Sequence, residues 1–286
     1  MIALFELGSH LVGWMPHPIS TAVARVLGTL IFLLVPRVRR NTIANMAVVL
    51  DVPPSDPRAQ NLARRSVVAF VDHVIDFLRS FRLSQADLIS RTVRIEGYEH
   101  FKALHEHRKG GIMITAHFGN WEWCGGLVSL DHPTHVVAET MRSRAMTGML
   151  DHVRAKLDLQ SIQLGNAARE ILRALRRGEY VALLADRPTP GRGVQVEFFG
   201  REAWVPPGSA ALAQRAGSPL MVGGMTRNGD GTYTAHAMPP IFWERGMPRD
   251  EAVQRGMQQV MWDLEALIRK APEQWYMFRS MWEAAG

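Results

Sequence analysis

Apolar residues recur at two different periods along this chain, and the change between them divides it. Val67, Val68, Val71, Val74, Ile75 and Leu78 follow helical spacing and predict a helix over about 58–81. Before it, residues 1–50 read as helical with breaks at Pro16, Pro18 and Pro36, and Pro53, Pro54 and Pro57 mark a linker. From about 92 onward, short apolar runs alternate with helical stretches. The pattern predicts strands near 92–96, 111–116, 134–138, 160–163, 180–185, 194–199, 219–226 and 232–237. Helices are predicted near 98–107, 121–130, 143–157, 167–177, 207–216 and 249–270. Alternation of this kind predicts an α/β fold, a mostly parallel central sheet flanked by helices. The stretch 228–231, Asn-Gly-Asp-Gly, reads as a hairpin turn between the last two strands. The expected division is a helical, membrane-associating segment over 1–50 and an α/β domain over 51–286.

The apolar run 26–35 is preceded by Arg25 and followed by Arg37, Arg39 and Arg40. Spanning a bilayer takes about 20 apolar residues, so this run predicts a monotopic anchor with its arginines at anionic headgroups. A basic start with a small-residue cleavage site is not evident, and the expected location is peripheral, on the cytoplasmic face of the cell membrane. The 286 residues are 47% hydrophobic, enough for a large core. Thirty-three Lys and Arg against 27 Asp and Glu give a net charge of +6, which suits phosphate-bearing partners. Cys124 is the single cysteine, which excludes an internal disulfide and a cysteine zinc cluster; in an apolar helical stretch it reads as packing. No metal or cofactor is expected, and His100, His105 and His107 read as a solvated helix face.

Candidate chemistry concentrates at 115–122, Thr-Ala-His-Phe-Gly-Asn-Trp-Glu, where a predicted strand gives way to a helix. Residues five apart lie about 140° apart on a helix and on opposite faces of a strand, so neither element alone pairs His117 with Glu122. A sharp turn at Gly119, with Asn120 capping the helix, lets Glu122 fold back toward the imidazole. A carboxylate beside a histidine fixes its tautomer and prepares it to take a proton from an alcohol. In open α/β sheets ligands bind beyond the carboxyl ends of strands, where His117, the stretch 139–144 and Asp186-Arg187 also fall in this reading.

Joined with later segments, the stretch resembles the lysophospholipid acyltransferase superfamily of bacteria, specifically the lipid A late acyltransferases and the phosphatidylinositol mannoside acyltransferases. The matching pieces are 115–122, 177–187, 196–200, 207–213 and 272–276, in the order the family has them. The resemblance implies that His117 and Glu122 form the His-x4-Asp/Glu motif, with His117 the general base on an acceptor hydroxyl. It further implies an acyl thioester donor, either acyl-CoA or acyl carrier protein, and a glycolipid acceptor such as a phosphatidylinositol mannoside or lipid A precursor. Asp186 and Glu197 compete with Glu122 to orient His117, Glu197 because some mannoside enzymes place a carboxylate there. Arg142, Arg144, Arg187 or backbone N–H groups at Gly119-Asn120 are candidates to hold the oxyanion, with Asn120 also at the substrate. Asp186-Arg187-Pro188 departs from the Asp-Gln of typical lipid A enzymes and is closer to the mannoside branch. Two alternatives stand beside this reading. An esterase or thioesterase using a serine would need a Gly-x-Ser-x-Gly elbow, which the chain lacks. A non-catalytic basic protein on membrane or nucleic acid is the other; the arginines are dispersed, and no nucleic-acid partner is expected.

Overall fold

The structure is a computed structural model and describes residues 12–13, 15–138, 143–189 and 191–282. Its helical front end comprises α1 (His17–Leu34), α2 (Pro36–Val49) and α3 (Pro57–Ser80). Pro36 and Pro57 each begin a helix, where the missing N–H costs nothing. The predicted linker therefore ends as the start of α3, with the Asp56 carboxylate accepting from the Arg58 N–H at 2.7 Å.

A short helix α4 (Gln85–Arg91), absent from the predicted elements, leads into the α/β part. Then come β1 (Thr92–Glu96), α5 (Tyr98–Glu106), β2 (Gly111–Thr115), α6 (Trp121–Val128), β3 (Thr134–Ala138), α7 (Arg144–Lys156), β4 (Leu159–Gln163), α8 (Ala167–Arg176) and β5 (Tyr180–Leu184). The remainder is β6 (Val194–Phe198), β7 (Arg201–Val205), α9 (Gly208–Ala216), β8 (Leu220–Arg227), β9 (Tyr233–Ala237) and α10 (Arg249–Lys270). Seven strands form one sheet in the order β1-β9-β8-β2-β5-β3-β4, parallel throughout except for the β8–β9 pair. This is the expected mostly parallel sheet flanked by helices, and the β8–β9 hairpin turns at the expected Asn-Gly-Asp-Gly stretch.

The strand predicted over 194–199 is not part of that sheet. It pairs with β7 as a separate antiparallel hairpin. Phe199 and Gly200 both have positive φ, which matches a tight two-residue turn. The alternation of Val196, Phe198, Ala203 and Val205 inward buries one face of the hairpin, while Gln254 and Gln258 of α10 hydrogen-bond the backbone of β6.

One core joins the front end to the sheet. Met257, Val260, Met261, Leu264 and Leu267 of α10 are fully buried with Met46 and Val49 of α2 and Leu62 and Val67 of α3. Each such aliphatic side chain contributes about 1.5–3 kcal/mol relative to exposure. Asn45 on α2 clamps the C-terminal stretch by donating to the carbonyls of Met277 (2.8 Å) and Arg279 (2.7 Å), so residues 36–49 are built into the α/β core. Of the three described front-end helices, α1 is the superficial one. It lays Ser20, Ala24, Gly28 and Phe32 along α3, and Gly28 is required there because a Cβ would stand 2.5 Å from the Val68 Cα. The rest of α1 presents Val26, Leu27, Leu30, Ile31, Leu33 and Leu34 outward.

Candidate active site

The strand β2 is buried along its length and stops at Thr115. Beyond it the chain turns sharply through 116–119 before α6. Gly119 makes this turn possible. Its φ is +55°, and a Cβ would lie 1.8 Å from the Met225 carbonyl oxygen of β8, so only glycine fits. Asn120 then caps α6, its Oδ1 accepting from the Trp123 N–H at 3.2 Å.

At this turn His117 meets a carboxylate, and that carboxylate is Asp186. The ring Nδ1 lies 2.7 Å from Asp186 Oδ1, and the His117 backbone N–H donates to Oδ2 at 2.9 Å. Oδ2 also accepts from Trp275 Nε1–H at 3.0 Å. Asp186 itself is 0% exposed, two residues past the end of β5, and β5 pairs in register beside β2. Burial alone raises its value, but the His117 charge, the ring and backbone hydrogen bonds from His117 and the Trp275 indole together hold it below the ordinary carboxylate range. An ionised carboxylate only accepts. Nδ1 must therefore carry a proton, which in the neutral ring leaves Nε2 as the nitrogen able to take one. Among the described residues no group hydrogen-bonds to Nε2, and the ring stays 20% exposed in a T-shaped contact with Trp121, centroids 5.7 Å apart.

The expected partnership of His117 with Glu122 does not form. Glu122 is buried at the start of α6, where Arg154 of α7 grips it as a fork, Nη2 to Oε1 at 2.8 Å and Nε to Oε2 at 3.2 Å. The first helical turn carries its side chain toward α7 instead of back over the strand end. Glu197 does not reach the histidine either. It is exposed on the outer face of the β6–β7 hairpin, with its backbone held by Gln258.

The backbone N–H groups suggested for the oxyanion are engaged. Gly119 donates to the Gln274 carbonyl and Asn120 to that of Met225, each at 2.9 Å, while Phe118 donates to Ala116 at 2.7 Å. With the Asn120 Oδ1 used in capping, the role of Asn120 here is to hold the turn. Arg187 follows Asp186 and is exposed on the same rim. Arg142 lies outside the described residues, as does the side chain of Arg144 at the first position of α7.

Two groups near the site carry no role in the sequence reading. Trp275 falls inside the conspicuous segment 272–276, yet nothing in one dimension aims its indole at Asp186. Behind Trp121, at 4.2 Å between centroids, lies the buried ring of His73, whose value desolvation pushes down to about 4 against the opposing charge of Asp76. Under α6 a narrow apolar crevice of about 30 Å³ runs between Met113, Trp121, Cys124, Val128 and Ala182, too small as it stands for a fatty chain. Burial lifts the Cys124 thiol to about 12, so it is a packing residue and not a nucleophile at neutral pH.

A histidine with one nitrogen fixed by a buried carboxylate and the other without a partner among the described residues, on the carboxyl edge of an α/β sheet, suits proton removal from a hydroxyl. Residues 3–284 match the family model for the bacterial lipid A biosynthesis acyltransferase, and the protein is accordingly an O-acyltransferase. The chain belongs to the bacterial lipid A biosynthesis acyltransferase family. It is also similar to the phosphatidylinositol mannoside acyltransferase of Mycolicibacterium smegmatis, 26% identical over 84% of this chain and 78% of that protein. The protein of the same name from Mycobacterium tuberculosis strain H37Rv is 29% identical over 62% of this chain and 58% of its own length.

Proposed function

We propose that this acyltransferase moves a fatty acyl group from a thioester, carried on coenzyme A or acyl carrier protein, to a hydroxyl of a glycolipid at the membrane surface. The observation that carries the reading is the His117–Asp186 pair, whose Nε2 has no partner among the described residues. In this mechanism Nε2 takes the proton of the acceptor hydroxyl as its oxygen attacks the thioester carbonyl carbon. The imidazolium so formed faces the Asp186 carboxylate, which holds it in place and offsets its charge. Arg187, with Arg142 and Arg144, is assigned to the tetrahedral oxyanion, since the turn's own N–H groups are engaged. Collapse of the tetrahedral species breaks the C–S bond, and the departing thiolate recovers the proton from Nε2.

The acceptor is assigned to the glycolipid class, a phosphatidylinositol mannoside or a lipid A precursor, from the family and the named relatives. Membrane contact is assigned to α1. At 1.5 Å per residue its 18 residues span about 27 Å, short of the ~30 Å hydrocarbon core. One side lies against α3, which carries Arg58, Arg64, Arg65 and Arg79, so lipid cannot surround it. An in-plane helix, apolar face downward, fits both facts.

The test is acyl transfer in vitro with both thioester classes against both acceptor classes, on wild type and His117→Ala. Loss of a general base is expected to lower kcat by about 10²–10⁴. Full activity in a folded His117→Ala protein overturns the mechanism.

A further inference from the structure

A second cavity of about 420 Å³ opens on the seam between α1 and α3, lined by Arg25, Arg64, Arg65, Val68, Ala69, Asp72 and Glu273. None of these residues contacts His117 or Asp186. Arg65 is engaged by Glu273 at 2.7 Å, and Arg64 leans on the Asn61 amide oxygen at 3.1 Å. Arg25 has no ion-pair partner among the described residues, so the lip of the cavity keeps net positive charge. At its inner end Asp72 is 9% exposed, and its Oδ1 is buried without a hydrogen-bond partner. An unpartnered carboxyl oxygen at a cationic pocket suits a ligand that brings both an anion and a hydrogen-bond donor.

The position narrows the ligand further. Arg25 immediately precedes the outward apolar row of α1, in which Val26 is 59% and Leu34 74% exposed. A headgroup seated in the pocket would leave its acyl chains beside that row. We propose that the α1–α3 pocket is a binding site for the headgroup of an anionic, hydroxyl-bearing membrane phospholipid. The arginines meet the phosphodiester, Asp72 accepts from the headgroup hydroxyl, and the site fixes how the enzyme sits on the bilayer. The proposal rests on the reading of α1 as the membrane face and is independent of the role of His117.

The experiment is co-sedimentation of the full-length protein with vesicles of phosphatidylcholine containing phosphatidylglycerol, phosphatidic acid or no anionic lipid. Wild type is expected to prefer phosphatidylglycerol over phosphatidic acid. Arg25→Glu/Arg64→Glu is expected to lose at least tenfold in affinity for phosphatidylglycerol vesicles, while Arg37→Glu/Arg39→Glu, outside the pocket, loses less. Asp72→Leu is expected to erase the preference without erasing binding. Equal losses in the two arginine pairs, or no preference between the anionic lipids, would overturn the site in favour of diffuse charge. Millimolar inorganic phosphate or glycerol phosphate is expected not to displace the vesicles; displacement would overturn the lipid as the source of the anion. Circular dichroism confirms folding of each variant. Acyl transfer assayed in detergent micelles separates the two readings: the pocket variants are expected to retain kcat there, and His117→Ala to bind vesicles like wild type.

Discussion

Three donors converge on one buried carboxylate, and this makes Asp186 the residue on which the geometry of His117 depends. Asp186→Asn keeps the size but presents an amide that can donate, which favours the wrong ring tautomer. Its expected effect is a fall in kcat of about 10²–10⁴ with KM little changed, measured by steady-state transfer and checked against a folded thermal profile. Trp275→Phe removes one of the three donors and is expected to produce a smaller loss in the same assay. Glu122 behaves differently at this scale. Its bond to Arg154 is buried on both sides, with side chains 5% and 11% exposed. Glu122→Gln leaves an uncompensated buried guanidinium, at a cost of about 3–5 kcal/mol. Denaturant melts should show that loss, while kcat per folded molecule stays within several fold. A collapse of kcat with unchanged stability would instead give Glu122 the part assigned here to Asp186.

Elements position these residues through their ends more than through their bodies. The strands β2 and β5 lie in register, Thr115 opposite Leu184, so His117 and Asp186, each two residues past its strand end, emerge side by side. The turn after β2 is stitched to β8 and to the C-terminal stretch, with the His117 carbonyl accepting from the Tyr276 N–H at 2.7 Å. Gly119→Ala is expected to break that stitching, because its Cβ overlaps the Met225 carbonyl. Activity should fall with the melting temperature, since relief requires the turn to move away from β8. On α1, Gly28→Leu drives a side chain into the backbone of α3 at Val68. Its expected consequence is a weakened α1–α3 seam, read by hydrogen exchange at residues 17–34, with the sheet unaffected.

The whole molecule should be sensitive to acid through a group buried behind the site. His73 is buried beside Trp121, and desolvation, against the pull of Asp76 and with the push of His117, lowers its value to about 4 from 6.5. Folded His73 thus binds its proton less readily than unfolded His73. The contribution is fully present above about pH 6.5 and is lost as pH falls toward about 4, for a total of about 3 kcal/mol. Urea melts between pH 7 and 4 should show that slope, and His73→Phe should flatten it. An unaltered slope in His73→Phe would transfer the acid sensitivity to other groups.

Much of this fold could be read from the chain because it rests on local rules. Short apolar runs announced β2 and β5, helical spacing announced α3 and α10, and glycine at 119 announced a sharp turn. The hairpin β6–β7 escaped because its register depends on packing against α10, and α4 because seven residues carry little periodic signal. At the site, sequence placed His117 at a strand end but favoured Glu122 as its partner, with Asp186 and Glu197 as rivals. The nearest in sequence, Glu122, is carried away by the first turn of its helix into the fork of Arg154, whereas Asp186, 69 residues on, arrives beside the ring because β5 pairs with β2. Residue identity and spacing determined which chemistry was available to this protein. Only strand pairing decided which groups share it, because a hydrogen bond depends on distance in space and not on separation along the chain.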